Sequence, residues 1–174
     1  MTDLLARLPF DPELDAALAL VGEGLPSITA EMIPALRAAP MAGVGVDLPA
    51  LLDERGFVSR DETIAGYGGD EIIVSILHKS GRTGTGPGIF HTHGGGMIIG
   101  DRWTGVNLFL DWAERFNGVI VTVEYRLAPE FPDPYPVEDC YAGLVWTADH
   151  AEELGIDRTR LLIGGASAGG GLAA

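Results

Sequence analysis

The sequence predicts an α/β protein with a mainly parallel sheet covered by helices on both faces. Short β-branched apolar runs alternate with stretches of helical period, and glycine gathers at the ends of the apolar runs. The runs are Glu71–Leu77 (EIIVSIL), Ile89–His91, Val119–Val123 and Leu161–Ile163. Between the second and third, Thr104–Phe116 places Val106, Leu110 and Ala113 on one helical face. Between the third and fourth, a helix is expected from Pro136 to about Glu153, with Glu138 and Asp139 in its first turn. The helix dipole favours negative charge there. Val137, Tyr141, Leu144, Val145 and Ala148 are its expected apolar stripe, and Gly155 follows its end.

Ahead of this pattern the chain reads as short helices. Asp11 and Pro12 form an N-cap with proline at the first helical position, and Leu14, Ala17, Leu18 and Val21 follow at helical spacing up to Gly22 and Gly24. A second patch runs through Ile28, Met32 and Leu36, interrupted at Pro34, and a third runs from Leu48 to Arg55 and stops at Gly56. None is long enough to stand alone in water, so each must pack on something larger. Residues 1–64 are therefore expected to be one helical segment and 65–174 the α/β core.

Composition excludes several function classes. With 25 acidic and 11 basic residues the net charge is −14, which repels nucleic-acid backbones and anionic membrane surfaces. The single cysteine, Cys140, rules out an internal disulfide framework and a multi-cysteine zinc site. No apolar run approaches the ~18 residues of a membrane span, and the N-terminus lacks signal-peptide order. These features predict a soluble, cytoplasmic protein. A second copy of the chain stays open as a partner. Glycine, 25 of 174 residues, is the compositional outlier. It clusters at Gly66–Gly69, Gly81–Gly100 and Gly164–Gly171, where backbone must come close to something.

Two clusters carry chemistry. Gly165-Ala166-Ser167-Ala168-Gly169 follows the strand at Leu161–Ile163 and opens a stretch that could become a helix. So sharp a strand-to-helix turn strains its central residue and demands small neighbours, and it exposes the Ser167 hydroxyl above the sheet. The bland alternative is a glycine turn with an incidental serine. The second cluster, His93-Gly94-Gly95-Gly96 with Gly100 beyond it, follows the strand at Ile89–His91. Consecutive glycines there leave backbone N–H groups bare, as an oxyanion hole requires; a mobile loop is the alternative. The Gly164–Gly171 run has no lysine, so a phosphate loop is discounted. Arg126 is expected to form a structural ion pair behind the glycine loop, Cys140 to be a small buried hydrophobe, and the tryptophans to be packing residues.

HGGGMIIG (93–100), EYRLAPE (124–130), FPDPYPVEDCYAGLVW (131–146) and GGASAGG (164–170) together resemble the hormone-sensitive-lipase-like esterases of the α/β-hydrolase superfamily. The resemblance runs from about residue 65 to residue 174 with the blocks in the family's order. It implies an α/β-hydrolase fold acting on carboxylic esters, with no metal or organic cofactor required. Ser167 would be the nucleophile, and the N–H groups of Ala168 and Gly94–Gly96 the oxyanion hole. His93, Gly165 and Gly169 would support the motifs, and residues 1–64 would form a cap. Ala166 stands where the family often has an acidic residue.

The family's triad runs in the order serine, acid, histidine, yet residues 168–174 contain no Asp, Glu or His. The fold is thus expected to be interrupted just after the nucleophile turn. His78, His91, His93 and His150 all precede Ser167 and read as structural or exposed. Two alternatives remain open: a non-catalytic small-molecule-binding member of the same fold, and an inactive fragment.

Overall fold

The computed structural model describes residues 9–21, 28–38 and 47–174. Five strands, β1 (Phe57–Ala65), β2 (Glu71–Lys79), β3 (Gly86–Thr92), β4 (Val119–Glu124) and β5 (Ile156–Gly165), form one sheet in the order β1-β2-β4-β3-β5. β3 runs parallel to β4 and β5, whereas the β1–β2 and β2–β4 pairs are antiparallel. The sheet is therefore mixed, and parallel only where it carries the glycine turns. Chain connection explains the division. The short turn at 66–70 permits only a hairpin between β1 and β2. The parallel strands are joined through helical crossovers, α4 (Leu110–Phe116) and α5 (Tyr135–Asp149).

β1 corrects the expected boundary at residue 64, because the core's sheet begins at Phe57. Only Phe57 and Ile64 of β1 are buried. A half-exposed edge strand with so polar a sequence, FVSRDETIA, shows neither a strand's alternation nor an apolar run. The other boundaries follow from local chemistry. Asp11 accepts a hydrogen bond from the Glu13 N–H at 2.9 Å at the start of α1 (Pro12–Val21). The expected stop at Gly22 and Gly24 lies outside the described residues. A short 3₁₀ turn, Ala30–Met32, leads into α2 (Ile33–Ala38). Pro34 there belongs to a helix's first turn, where its missing N–H has no bond to make, and so it starts a helix instead of interrupting one. Asp47 caps α3 (Leu48–Glu54) by accepting from the Ala50 N–H at 3.1 Å, and Gly56, at φ +63°, ends it.

Side chains on the sheet alternate between two cores. Ile72, Val74 and Ile76 of β2, Phe90 of β3 and Val119, Val121 and Val123 of β4 face α5. Leu77, Ile89 and Ile120 face the opposite way, with Leu48 and Leu52 of α3, and with Val106, Leu110 and Ala113. The last three are fully buried, matching the stripe read from the sequence; burying a side chain such as Leu110 contributes about 1.5–3 kcal/mol. Residues 48–64 thus cover and extend the sheet instead of belonging to a separate helical segment.

Of the stripe expected on α5, Leu144 packs against the core, but the buried face is centred on other residues. Val137, Tyr141 and Val145 are exposed, while Pro136, Asp139, Cys140, Gly143 and Thr147 face the sheet. The close approach of helix to sheet selects small residues: a Cβ on Gly143 would lie 3.0 Å from the Phe90 ring and 3.3 Å from Val123. Thr147 fits because its hydroxyl donates to the Gly143 carbonyl at 2.7 Å. Trp112 is likewise half exposed at the edge of Phe109, while Trp103 and Trp146 pack against the cores.

Candidate active site

Ser167 stands between β5 and α6 (Ala168–Ala173) with φ +56° and ψ −124°. Left-handed backbone is disfavoured for a side chain with a Cβ, so its surroundings must hold it there. Two glycines do so by letting backbones touch. A Cβ on Gly165 would meet the Thr92 carbonyl oxygen at 2.3 Å, and one on Gly169 would meet it at 2.1 Å. The Thr92 hydroxyl donates to the Gly169 carbonyl at 2.8 Å, binding the end of β3 to the start of α6. Ser167 is exposed, and among the described residues its hydroxyl has no hydrogen-bond partner. It lies outside the cavity of about 430 Å³ bounded by Arg37, Ile72, Tyr125, Leu127 and Phe131.

Gly169→Ala is accordingly expected to destabilise the fold by at least about 1–3 kcal/mol, since backbone must move to admit the methyl group. Gly171→Ala is the control. Nothing lies within 4 Å of a Cβ there, and alanine is the better helix former by ~1 kcal/mol. Denaturant midpoints that moved equally for both substitutions would contradict this account of the turn.

The glycine loop meets this turn directly. A Cβ on Gly94 would lie 2.8 Å from the Ala166 carbonyl oxygen and 3.6 Å from the Ser167 Cβ. The Gly95 carbonyl accepts from the N–H groups of Ile98 and Ile99, at 3.1 and 3.0 Å, so the loop closes on itself. Gly95 and Gly96 take φ of +117° and +64°. Ala168, half buried, opens α6 beside Ser167. The structure therefore brings together Ser167, Ala168, Gly94, Gly165 and Gly169, with Gly95 and Gly96 next along the same loop.

His93 is buried beneath the loop. Its Nδ1 lies 2.8 Å from the Gly94 carbonyl, which can only accept, so Nδ1 carries the proton. Its ring stacks on Tyr125 at 4.0 Å between centroids, and the Tyr125 hydroxyl donates to the His93 carbonyl at 2.9 Å. Burial lowers the His93 pKa and outweighs the opposing Gly94 hydrogen bond and the Glu124 and Asp101 charges. His91, buried in β3, is pushed down to about 3 by burial and by its neighbour His93. All four histidines engage Nδ1 elsewhere: His78 with the Lys79 carbonyl, His91 with the Thr122 hydroxyl, His93 with the Gly94 carbonyl and His150 with the Trp146 carbonyl.

Two polar assemblies hold the surrounding loops. Arg126 meets Asp139 through two hydrogen bonds of 2.8 and 2.7 Å, and also reaches Asp70 and the Tyr67 carbonyl, each at 2.7 Å. This is the structural ion pair expected for Arg126. Burial alone would raise the Asp139 pKa, but Arg126 and the N–H groups of Tyr67 and Arg126 leave it below its ordinary value. The second assembly had no sequence signal. Asp61, Ser75, Thr122 and His91 stand opposite one another across four strands. Arg102 lies over that row, bonded to Ser75, Asp61 and Glu124 at 2.7, 3.1 and 2.9 Å, and its carbonyl accepts from Thr122 at 2.6 Å. Among the described residues, no group of His, Cys, Asp and Glu is placed to hold a metal ion. No described helix is long and apolar enough to cross a membrane.

Comparison with known proteins agrees with the fold. Residues 89–174 match the family described as alpha/beta hydrolase fold. The chain is 35% identical over 120 residues to Lipase 2 of Moraxella sp. (strain TA144), covering 66% of this chain and 28% of that protein. It is 40% identical over 88 residues to Esterase LipI of Mycobacterium tuberculosis, covering 51% of this chain and 28% of that protein. Among solved structures, Bacterial Heroin Esterase superposes with a TM-score of 0.69 at 37% identity, over 94% of this chain and 50% of that one. Esterase LipW from Mycobacterium marinum gives 0.72 at 32% identity, over 83% and 46%. The chain thus spans about half the length of these solved structures and 28% of the two relatives named. The mixed five-stranded sheet, the helices on both its faces and these likenesses together identify an α/β-hydrolase fold, similar to that of the lipases and esterases named.

Proposed function

We propose that the protein hydrolyses carboxylic esters with Ser167 as nucleophile. The observation that carries this is the contact between two motifs far apart in sequence. Ser167, in left-handed backbone at the end of β5, faces the glycine loop at the end of β3. One motif offers an exposed hydroxyl and the other a run of bare N–H groups. Acyl transfer needs both within about 3 Å of the same reacting carbonyl.

In this reading the Ser167 hydroxyl attacks the acyl carbon and gives its proton to a general base. The oxyanion is held by the N–H groups of Ala168 and Gly94–Gly96. The alcohol leaves with that proton, and water then attacks the acyl-enzyme in the same way to release the acid and free Ser167. The base is a histidine, oriented by an acid, supplied from outside these 174 residues. His93, Gly165 and Gly169 keep the two turns in contact and touch no substrate. α2 is the described part of the N-terminal segment that reaches the glycine loop, and it forms one edge of a cap over the acyl site.

The test uses the complete protein, these residues together with the polypeptide carrying the base, and a short-chain chromogenic ester. Ser167→Ala is expected to lower kcat by about 10⁶-fold with the fold intact. A fluorophosphonate probe should label the unsubstituted protein at Ser167 alone. Turnover surviving in Ser167→Ala would overturn the proposal.

A further inference from the structure

No sequence pattern singles out Arg37, yet it spans the gap between the N-terminal helices and the glycine loop. From α2 its Nε donates to the Ile98 carbonyl at 2.8 Å. Nη2 donates to the Ala128 carbonyl and to Glu130 Oε2, both at 2.8 Å, and Nη1 donates to Glu130 Oε1 at 2.9 Å. One planar guanidinium thus ties three segments that are distant in sequence.

The residue held by this clamp is strained. Met97 has φ +62°, a left-handed conformation that its Cβ disfavours. Its carbonyl accepts from the Ala128 N–H at 2.9 Å, and the next carbonyl, Ile98, accepts from Arg37. Ile98 and Ile99 in turn donate to the Gly95 carbonyl. The far limb of the loop is therefore fastened from outside, and its near limb, Gly94, lies against Ser167. Without Arg37 the Met97 backbone would be free to relax toward an ordinary conformation, taking the Gly95 anchor with it.

We propose that Arg37 is a positioning residue for the glycine loop, aiming the N–H groups of Gly94–Gly96 at the reacting carbonyl from the N-terminal helix. This rests on the ester-hydrolase reading above. A plain surface ion pair with Glu130 is the lesser alternative. Both side chains are partly exposed, at 30% and 54%, and such pairs contribute little by themselves. The two carbonyl bonds are what a lysine, with a single compact charge and no planar fork, cannot reproduce together with the bidentate pair.

The test compares Arg37→Ala, Arg37→Lys and Glu130→Gln in the complete protein. It reads ester kinetics and hydrogen–deuterium exchange of the peptides covering 93–100 and 126–131. Arg37→Ala is expected to lower kcat by about 10- to 100-fold with KM within about twofold, because misaimed donors fail only where charge develops. Exchange in both peptides should rise while β2 and β4 stay protected. Arg37→Lys should recover part of kcat, and Glu130→Gln, which keeps both carbonyl bonds, should lose no more than about threefold. The clamp is overturned if Arg37→Ala leaves loop exchange and kcat unchanged, or if Glu130→Gln matches it in both. Should Arg37→Ala fail to fold, the Arg37→Lys and Glu130→Gln pair decides. Turnover persisting in Ser167→Ala would sink the hydrolase reading instead, and loop exchange would still judge the clamp.

Discussion

Assayed alone, these 174 residues are expected to hydrolyse a simple chromogenic ester about 10⁴- to 10⁶-fold more slowly than the same residues joined by a polypeptide carrying the triad's acid and histidine. A serine hydroxyl at its ordinary pKa is a poor nucleophile until a base takes its proton. Each of the four histidines here engages Nδ1 with another group, and none is hydrogen-bonded to Ser167. Residues 168–174 hold no Asp, Glu or His. β5 pairs only with β3 among the described strands, leaving Leu162 and Ile163 exposed on its two faces, Ile163 on the side of Val137 and Tyr141 of α5. A free strand edge beside an apolar helix face invites aggregation, so poor solubility of these residues by themselves is expected too. Mixing them with a complementing polypeptide should restore both solubility and Ser167-dependent turnover. Robust turnover without one, lost in Ser167→Ala, would show that a group within these residues serves as the base.

Arg126→Ala is expected to cost about 3–5 kcal/mol of stability at neutral pH, the range for stranding one partner of a buried ion pair. The Asp139 side chain is fully buried and Arg126 only 12% exposed, so neither is eased by solvent. The loss should reach function as well, because the same guanidinium holds the 66–70 turn and stacks on Tyr135 at 4.6 Å. The pH dependence follows in sign. In the intact pair the Asp139 pKa lies below its unfolded value of about 3.9. The pair's contribution is therefore present above that value and lost as pH falls through the lower folded one. With the Arg126 side chain removed, burial is opposed only by the N–H groups of Tyr67 and residue 126, and the Asp139 pKa rises. The penalty then eases as pH falls and the carboxyl takes up a proton. Chemical denaturation of Arg126→Ala at several pH values checks this, and Arg126→Ala/Asp139→Asn should recover part of the loss at neutral pH. An equal penalty at every pH would contradict it.

The core strands and the two site motifs were legible in the sequence because their signals are local. Glu71–Leu77 and Val119–Val123 are β-branched runs, and both lie within observed strands. Val106, Leu110 and Ala113, read as one helical stripe, are all fully buried, although Val106 lies in a 3₁₀ segment, Val106–Phe109, ahead of α4. The glycines around Ser167 and after His93 announced close backbone approach, and the contacts at Gly165, Gly169 and Gly94 are such approaches. β1 escaped notice because an edge strand need bury only Phe57 and Ile64.

What tertiary structure alone decided were matters of partnership. Periodicity marks an apolar stripe but not which side meets the sheet. On α5 the close approach to Phe90 and Val123 chose the small face of Cys140, Gly143 and Thr147 over the larger apolar one. Arg37 and Arg102 look alike in sequence, as basic residues in an acidic chain, and even for Arg126, where an ion pair was expected, the sequence named no partner. Their roles come from carbonyls and carboxylates 13 to 61 residues away, brought within 3.1 Å by the fold. Strand runs and turn glycines are fixed by covalent neighbours and steric limits that travel with the chain. A hydrogen bond between Arg37 and Ile98 requires a sheet order, two crossovers and a docked helix first, and for that reason it can be read only from the folded molecule.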